Sequence, residues 1–132
     1  RYSEICDLLD REKAHFACLQ ETMLDSKSNI KFNNFHSIFK SRDRPGGGVG
    51  ILIRQSIQYQ RVDLEYINTL CTNNQVDIVI VKIPTHDYKP LHIISIYSPS
   101  RNSQNPTESD FWENLFLFCS ALGNIIICGN FN

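Results

Sequence analysis

Several absences narrow the reading first. No charge of one sign dominates, since 13 Lys and Arg stand against 14 Asp and Glu for a formal net charge of −1. A protein-wide basic field for gathering nucleic acid is thereby excluded, although a local patch is not. No apolar run approaches the roughly 20 residues that span a bilayer, and no signal-peptide pattern is present. The five cysteines, Cys6, Cys18, Cys71, Cys119 and Cys128, form no CxxC pair, so no zinc site is signalled. Their odd number and apolar settings, as in "HFACLQ" and "FLFCSAL", read as buried reduced thiols in a reducing compartment, nuclear or cytoplasmic. His15, His36, His86 and His92 show neither HExxH nor another close ligand spacing, and none is assigned to catalysis. There is no internal repeat, no low-complexity tract and no initiating methionine. The opening on Arg1 is read as a start inside a longer protein.

What is present is an ordinary globular mixture. The 132 residues are 42% apolar and 20% charged, enough for one domain with a real core. "SEICDLLDREK" (3–13) reads as a helix that Ser3 can cap, with Ile5, Leu8 and Leu9 on one face. "HFACLQET" (15–22) reads as a buried strand that turns polar at its end. A polar loop (26–37) leads to a short strand within 35–42. "IQYQRVDLEYI" (57–67) alternates and predicts a strand, and "QVDIVIVKIP" (75–84) predicts a central strand apolar on both faces. "LHIISIYSP" (91–99) is a further apolar strand. "ESDFWENLFLFCSALG" (108–123) predicts an amphipathic helix. Thr107 or Ser109 can cap it, its apolar face holds Phe111, Leu115, Phe118, Cys119 and Leu122, and Gly123 ends it. "NIIICGNFN" (124–132) is the last strand. The sum is a mixed α/β protein with at least one large sheet.

Three strands run apolar and then deliver polar groups at their carboxyl ends. These are Gln20 with Glu21, then Tyr97, then Asn130 with Asn132. Sites in α/β sheets collect at strand ends, where a buried strand fixes the backbone and its end meets water. A carboxylate, a phenol and two amides suit a hard cation such as Mg²⁺, and they can hold phosphate oxygens or orient an attacking water. Each also has a plain reading, as a solvated surface Glu, a half-buried core Tyr or a turn at "NFN". It is the coincidence that favours a site. "GGGVGILIR" (46–54) fits neither GxxxxGK[ST] nor a helix-opening GxGxxG, and reads as a mobile turn into a strand. Arg42, Arg44, Arg54 and Arg101 lie on or beside loops, where they serve either as solvated charge or as contacts to a nucleic-acid backbone.

Taken in order, "LQET" (19–22), "GGGVGILIR" (46–54), "IYSPS" (96–100) and "IICGNFN" (126–132) resemble the endonuclease/exonuclease/phosphatase superfamily. The nearest likeness is to the apurinic-endonuclease-like domain of insect-type non-long-terminal-repeat retrotransposon polyproteins. The resemblance implies a deoxyribonuclease I-like fold, a four-layer αββα sandwich with mixed, mostly antiparallel sheets. It implies that 1–132 is a partial domain, truncated at both ends, without the first strand and the C-terminal part. It gives Glu21 the binding of Mg²⁺ (or Mn²⁺), Tyr97 a contact to the scissile phosphate, and Asn132 a hold on that phosphate. Asn130 stands where the family has an Asp that handles the attacking water. Ser100 and Arg101 fall where nucleic acid would be contacted. The implied reaction is metal-dependent nicking of DNA that primes reverse transcription, with a reverse transcriptase elsewhere in the polyprotein. Asn130 and the missing partners predict little activity in this chain. Two alternatives stay open: a non-catalytic remnant that at most binds nucleic acid or protein, and a superfamily phosphatase acting on inositol phosphates or messenger-RNA tails. The glycine run and "IYSPS" speak against the phosphatase.

Overall fold

The β-branched runs of the sequence build two sheets, and the helices cover their outer faces. The computed structural model describes residues 2–24, 30–40, 47–86, 89–99 and 107–131. In chain order the elements are α1 (Tyr2–Arg11), β1 (Phe16–Gln20), β2 (Phe35–Lys40), β3 (Val49–Arg54), β4 (Gln60–Val62), α2 (Glu65–Asn73), β5 (Asp77–Ile83), β6 (Leu91–Ser98), α3 (Phe111–Ser120) and β7 (Asn124–Phe131). One sheet has the order β1-β3-β2 and the other β4-β5-β6-β7. Every pairing is antiparallel except β6 with β7. A parallel neighbour needs a crossover, and α3 supplies it.

Three apolar clusters stack the layers. Leu9 of α1 packs with Phe32, Phe35 and Leu52 on the outside of the first sheet. Ile38, Val49, Ile51 and Ile53 meet Val79, Val81, Ile93 and Tyr97 between the sheets. Ile67 and Cys71 of α2 and Phe111, Leu115 and Cys119 of α3 cover Ile78, Ile80, Ile94 and Ile96 on the outside of the second sheet. The result is the αββα layering that the motifs imply. Within β3, Ile51, Leu52 and Ile53 are all fully buried, because successive side chains enter different clusters. Each such side chain contributes about 1.5–3 kcal/mol of burial. Among the described residues no helix is long and apolar enough to cross a membrane.

Several local expectations need correction. The strand predicted over 57–67 is only β4, and α2 begins at Glu65. Ile67, Leu70 and Cys71 lie three and four apart, so they share one helical face against the second sheet. On α3, Phe111, Leu115 and Cys119 are buried as predicted, but Phe118 is half-exposed. Its ring packs edge-on against Tyr66 of α2 at 4.9 Å between centroids. Neither Thr107 nor Ser109 is the N-cap. That position falls to Asp110, whose side chain makes no capping bond. The approach to the helix is fixed instead by Asn74 Oδ1, which accepts the Glu108 N–H at 2.8 Å. Gly123 follows α3 at φ +103°, a conformation open to glycine.

All five cysteines carry free thiols. Burial pushes Cys71 up to about 12 and Cys119 up to about 11, so both are protonated near neutral pH.

Arg54 ties α1 to β3. Its guanidinium donates to the Ala14 carbonyl at 2.6 and 2.9 Å and to Asp10 Oδ1 at 2.8 Å, and it lies 4.4 Å from the centre of the Phe35 ring. Arg54→Ala leaves the Ala14 carbonyl and the Asp10 carboxylate without these donors and is expected to cost about 2–3 kcal/mol. Arg54→Lys recovers little of it, since an ammonium cannot reproduce the planar fork. Urea unfolding of the three proteins checks both statements.

Candidate active site

The site is assembled from strand ends. Ser95, fully buried on β6, donates from Oγ to the Leu19 carbonyl at 3.2 Å and accepts from Gln20 Nε2 at 3.0 Å. These bonds hold the carboxyl end of β1 against the carboxyl half of β6, across the two sheets. Within the second sheet, the parallel register sets Tyr97 opposite Asn130. Cys128 of β7 is a near neighbour of Cys18 of β1. Burial first, and then the neighbouring Cys128, push the Cys18 thiol up to about 12.

Glu21 follows directly on β1. Its backbone is left-handed at φ +52°, and Met23 repeats this at φ +58°. Non-glycine residues in that region cost about 1–3 kcal/mol each and persist only where their surroundings hold them. Here the surroundings are two glycines. The Thr22 N–H donates to the Gly48 carbonyl at 3.4 Å, and the Met23 N–H to the Gly47 carbonyl at 3.0 Å. Gly47 and Gly48 are themselves left-handed, at φ +80° and +97°. A methyl group at Gly47 would lie 2.9 Å from Asp77 Oδ2 and 3.3 Å from Tyr97 Cε1, and one at Gly48 would run into Thr22 Oγ1. The run predicted as a mobile turn is, over Gly47–Gly48, a bonded strap between strand ends. Only glycine fits there.

The Tyr97 ring is largely buried and belongs to the core between the sheets. Asn130 is half-buried, and Glu21 is exposed on the wall of a cavity of about 170 Å³ that Leu19, Met23, Phe32 and Phe39 also line. Asn132, Ser100, Arg101, Arg42 and Arg44 lie outside the described residues. The structure thus brings Tyr97 and Asn130 side by side and bonds the Glu21 turn to Gly47 and Gly48, of which Gly47 faces the Tyr97 ring. The sequence reading missed Asp77, Ser95 and the strap. A lone carboxylate ahead of the apolar run Ile78 to Val81 was the available signal for Asp77.

No group of three or more His, Cys, Asp or Glu that could hold a metal occurs among the described residues. A zinc-type cage is therefore not built from them. The exposed Glu21 carboxylate is of the kind that suits a hydrated Mg²⁺ or Mn²⁺, which binds through one or two carboxylates together with substrate phosphate.

The sequence profile of the endonuclease/exonuclease/phosphatase family matches residues 1–132. The chain belongs to this family. No curated protein sequence matches it significantly. Among solved structures, the human Nocturnin catalytic domain with bound sulfate anion superposes with a TM-score of 0.61 at 12% identity, over 99% of this chain and 56% of that one. A humanized D. rerio TDP2 gives a TM-score of 0.59 at 16% identity, over 97% and 53%. At these identities the likeness concerns the fold, which is deoxyribonuclease I-like. The chain spans about half the length of these structures. Two kinds of hydrolase, nucleases and phosphatases, share the family.

Proposed function

We propose that this chain is part of a divalent-metal-dependent phosphodiesterase that nicks DNA, of the type found in insect-type non-long-terminal-repeat retrotransposons. The observation that carries this reading is the register of β6 and β7, which sets Tyr97 opposite Asn130 beside the strapped Glu21 turn. Family membership supports a hydrolase of nuclease or phosphatase type. DNA as the substrate, and a reverse transcriptase as neighbour in the same polyprotein, rest on the resemblance of the "LQET", "GGGVGILIR", "IYSPS" and "IICGNFN" segments.

In this reading each side chain has one task. The Tyr97 phenol donates a hydrogen bond to an oxygen of the scissile phosphate, from a ring that the core holds still. The Asn130 amide binds the attacking water or a phosphate oxygen, but it cannot take a proton near neutral pH. Asn132 holds the phosphate, and Ser100 and Arg101 contact the neighbouring backbone of the DNA. Glu21 would hold Mg²⁺ or Mn²⁺, which when bound supplies Lewis-acid polarisation of the phosphate and a more acidic water. Without a base at position 130, turnover is slow.

Mn²⁺ titration tests the metal assignment directly. Paramagnetic broadening is expected first at the amides of 20–23, and Glu21→Gln is expected to abolish it. Broadening that starts instead at Asp63 and Glu65, on the opposite sheet edge, would remove Glu21 from the site.

A further inference from the structure

Asp77 opens β5 and is only 3% exposed, although it is a carboxylate in an apolar strand. Burying a charge is costly unless hydrogen bonds compensate, and an apolar residue would serve stability at least as well. Its surroundings suggest a different use. Oδ2 accepts the Gly48 N–H at 2.9 Å. Asp77 is also the antiparallel partner of Tyr97. The same two glycines that meet Asp77 and Tyr97 accept the N–H groups of Thr22 and Met23, directly after Glu21. A continuous path therefore runs from the Asp77 carboxylate through Gly48 to the left-handed Glu21 turn.

We infer that Asp77 is a positioning residue of this site: its carboxylate fixes the Gly47–Gly48 strap, and the strap sets the Glu21 turn relative to the Tyr97 ring. This rests on the reading of Glu21 and Tyr97 as site residues. Glu21 and Tyr97 come from different sheets, so their spacing depends on whatever crosses between them. The strap crosses next to Tyr97, whereas the Ser95 bonds cross two residues earlier on β6. Asp77 supplies a buried side-chain acceptor to the Gly48 N–H. That bond helps offset the backbone conformations of Glu21 and Met23. Without it, the strap glycines, being the residues with most conformational freedom, have the most to regain by loosening.

The test uses the whole chain with Mn²⁺ as probe, in Asp77→Ala and Asp77→Asn. In Asp77→Ala, amide exchange at Gly48, Thr22 and Met23 should quicken about tenfold or more, while the β2–β3 ladder stays protected. Tyr97 ring signals should shift with it. Mn²⁺ affinity at Glu21 should fall about 10–100-fold, as for other residues that orient a metal ligand. Asp77→Asn keeps an oxygen that can accept the Gly48 N–H, and should restore most of the affinity and protection. Unchanged exchange in Asp77→Ala would overturn the inference. So would faster exchange with unchanged Mn²⁺ affinity, which leaves Asp77 a purely structural carboxylate. If the unaltered chain binds no Mn²⁺ at Glu21, the metal reading fails by itself. Asp77 is then judged by whether exchange at 22, 23 and 48 and the Tyr97 signals still move together. Should Asp77→Ala not fold, Asp77→Ser, whose hydroxyl is too short to reach Gly48, takes its place under the same criteria.

Discussion

Asn130→Asp raises Mg²⁺-dependent nicking of supercoiled plasmid by roughly 10²–10⁴-fold, the usual contribution of a positioned acid or base. Asn130 sits opposite Tyr97 in the parallel β6–β7 ladder, so a carboxylate there would face the same phosphate as the phenol. Asn and Asp have nearly the same shape, so the exchange leaves packing almost untouched and alters only the proton chemistry. An amide can orient a water, but it leaves the attacking oxygen to lose its proton to solvent. The two forms are compared in the same polypeptide, including any residues that flank 1–132 in the full-length protein. Glu21→Gln in the Asn130→Asp background should remove the gain, because a base is of little use when the metal is not held. Equal nicking by the Asn130 and Asp forms would show that position 130 does not handle the water. Release of inorganic phosphate from a monoester in place of nicking would move the chain to the phosphatase side of its family.

The sequence carried the parts of the fold in which local pattern and tertiary burial agree. The four-residue spacing of Phe111, Leu115 and Cys119 gave α3, and the doubly apolar run from Ile78 to Val81 gave a central β5. The three polar strand ends were also legible, because each marks where a buried strand meets water. Residues whose role depends on distant partners were not. α2 was hidden by the alternation before it and by Leu64 at its N-cap, which makes no capping bond that would announce a helix. Phe118 was assigned to the core because nothing local reveals Tyr66 beside it. The glycine run was taken as mobile for the same reason. Its order comes from a carboxylate 29 residues further on and from the backbone of the Glu21 turn.

Gly129 is the position where a single methyl group should do most damage. Its Cα faces the neighbouring strand so closely that an added Cβ would run into the Ile96 carbonyl oxygen and crowd the Ile96 Cβ, 3.1 Å away. The obstacle is backbone, so no side-chain rotation can clear it. Ile96 in turn is fully buried under α2 and α3 and cannot retreat. Gly129→Ala must therefore push β7 away from β6, and it does so next to the Tyr97–Asn130 pair. Overpacking of this kind costs about 1–3 kcal/mol, and Gly129→Val should exceed it, because two γ carbons meet the same wall. Urea unfolding measures the loss, and amide exchange along β7 should show it concentrated between Ile127 and Phe131. The effect on chemistry is expected to be non-additive with Asn130→Asp, since the two positions are adjacent and share the ladder. In Gly129→Ala the new carboxylate is displaced from Tyr97, and most of the gain in nicking is lost even at temperatures where the protein remains folded. A Gly129→Ala protein that keeps both its stability and the full Asn130→Asp gain would mean that β7 does not lie against Ile96 in solution, and the pairing of Tyr97 with Asn130 would fall with it.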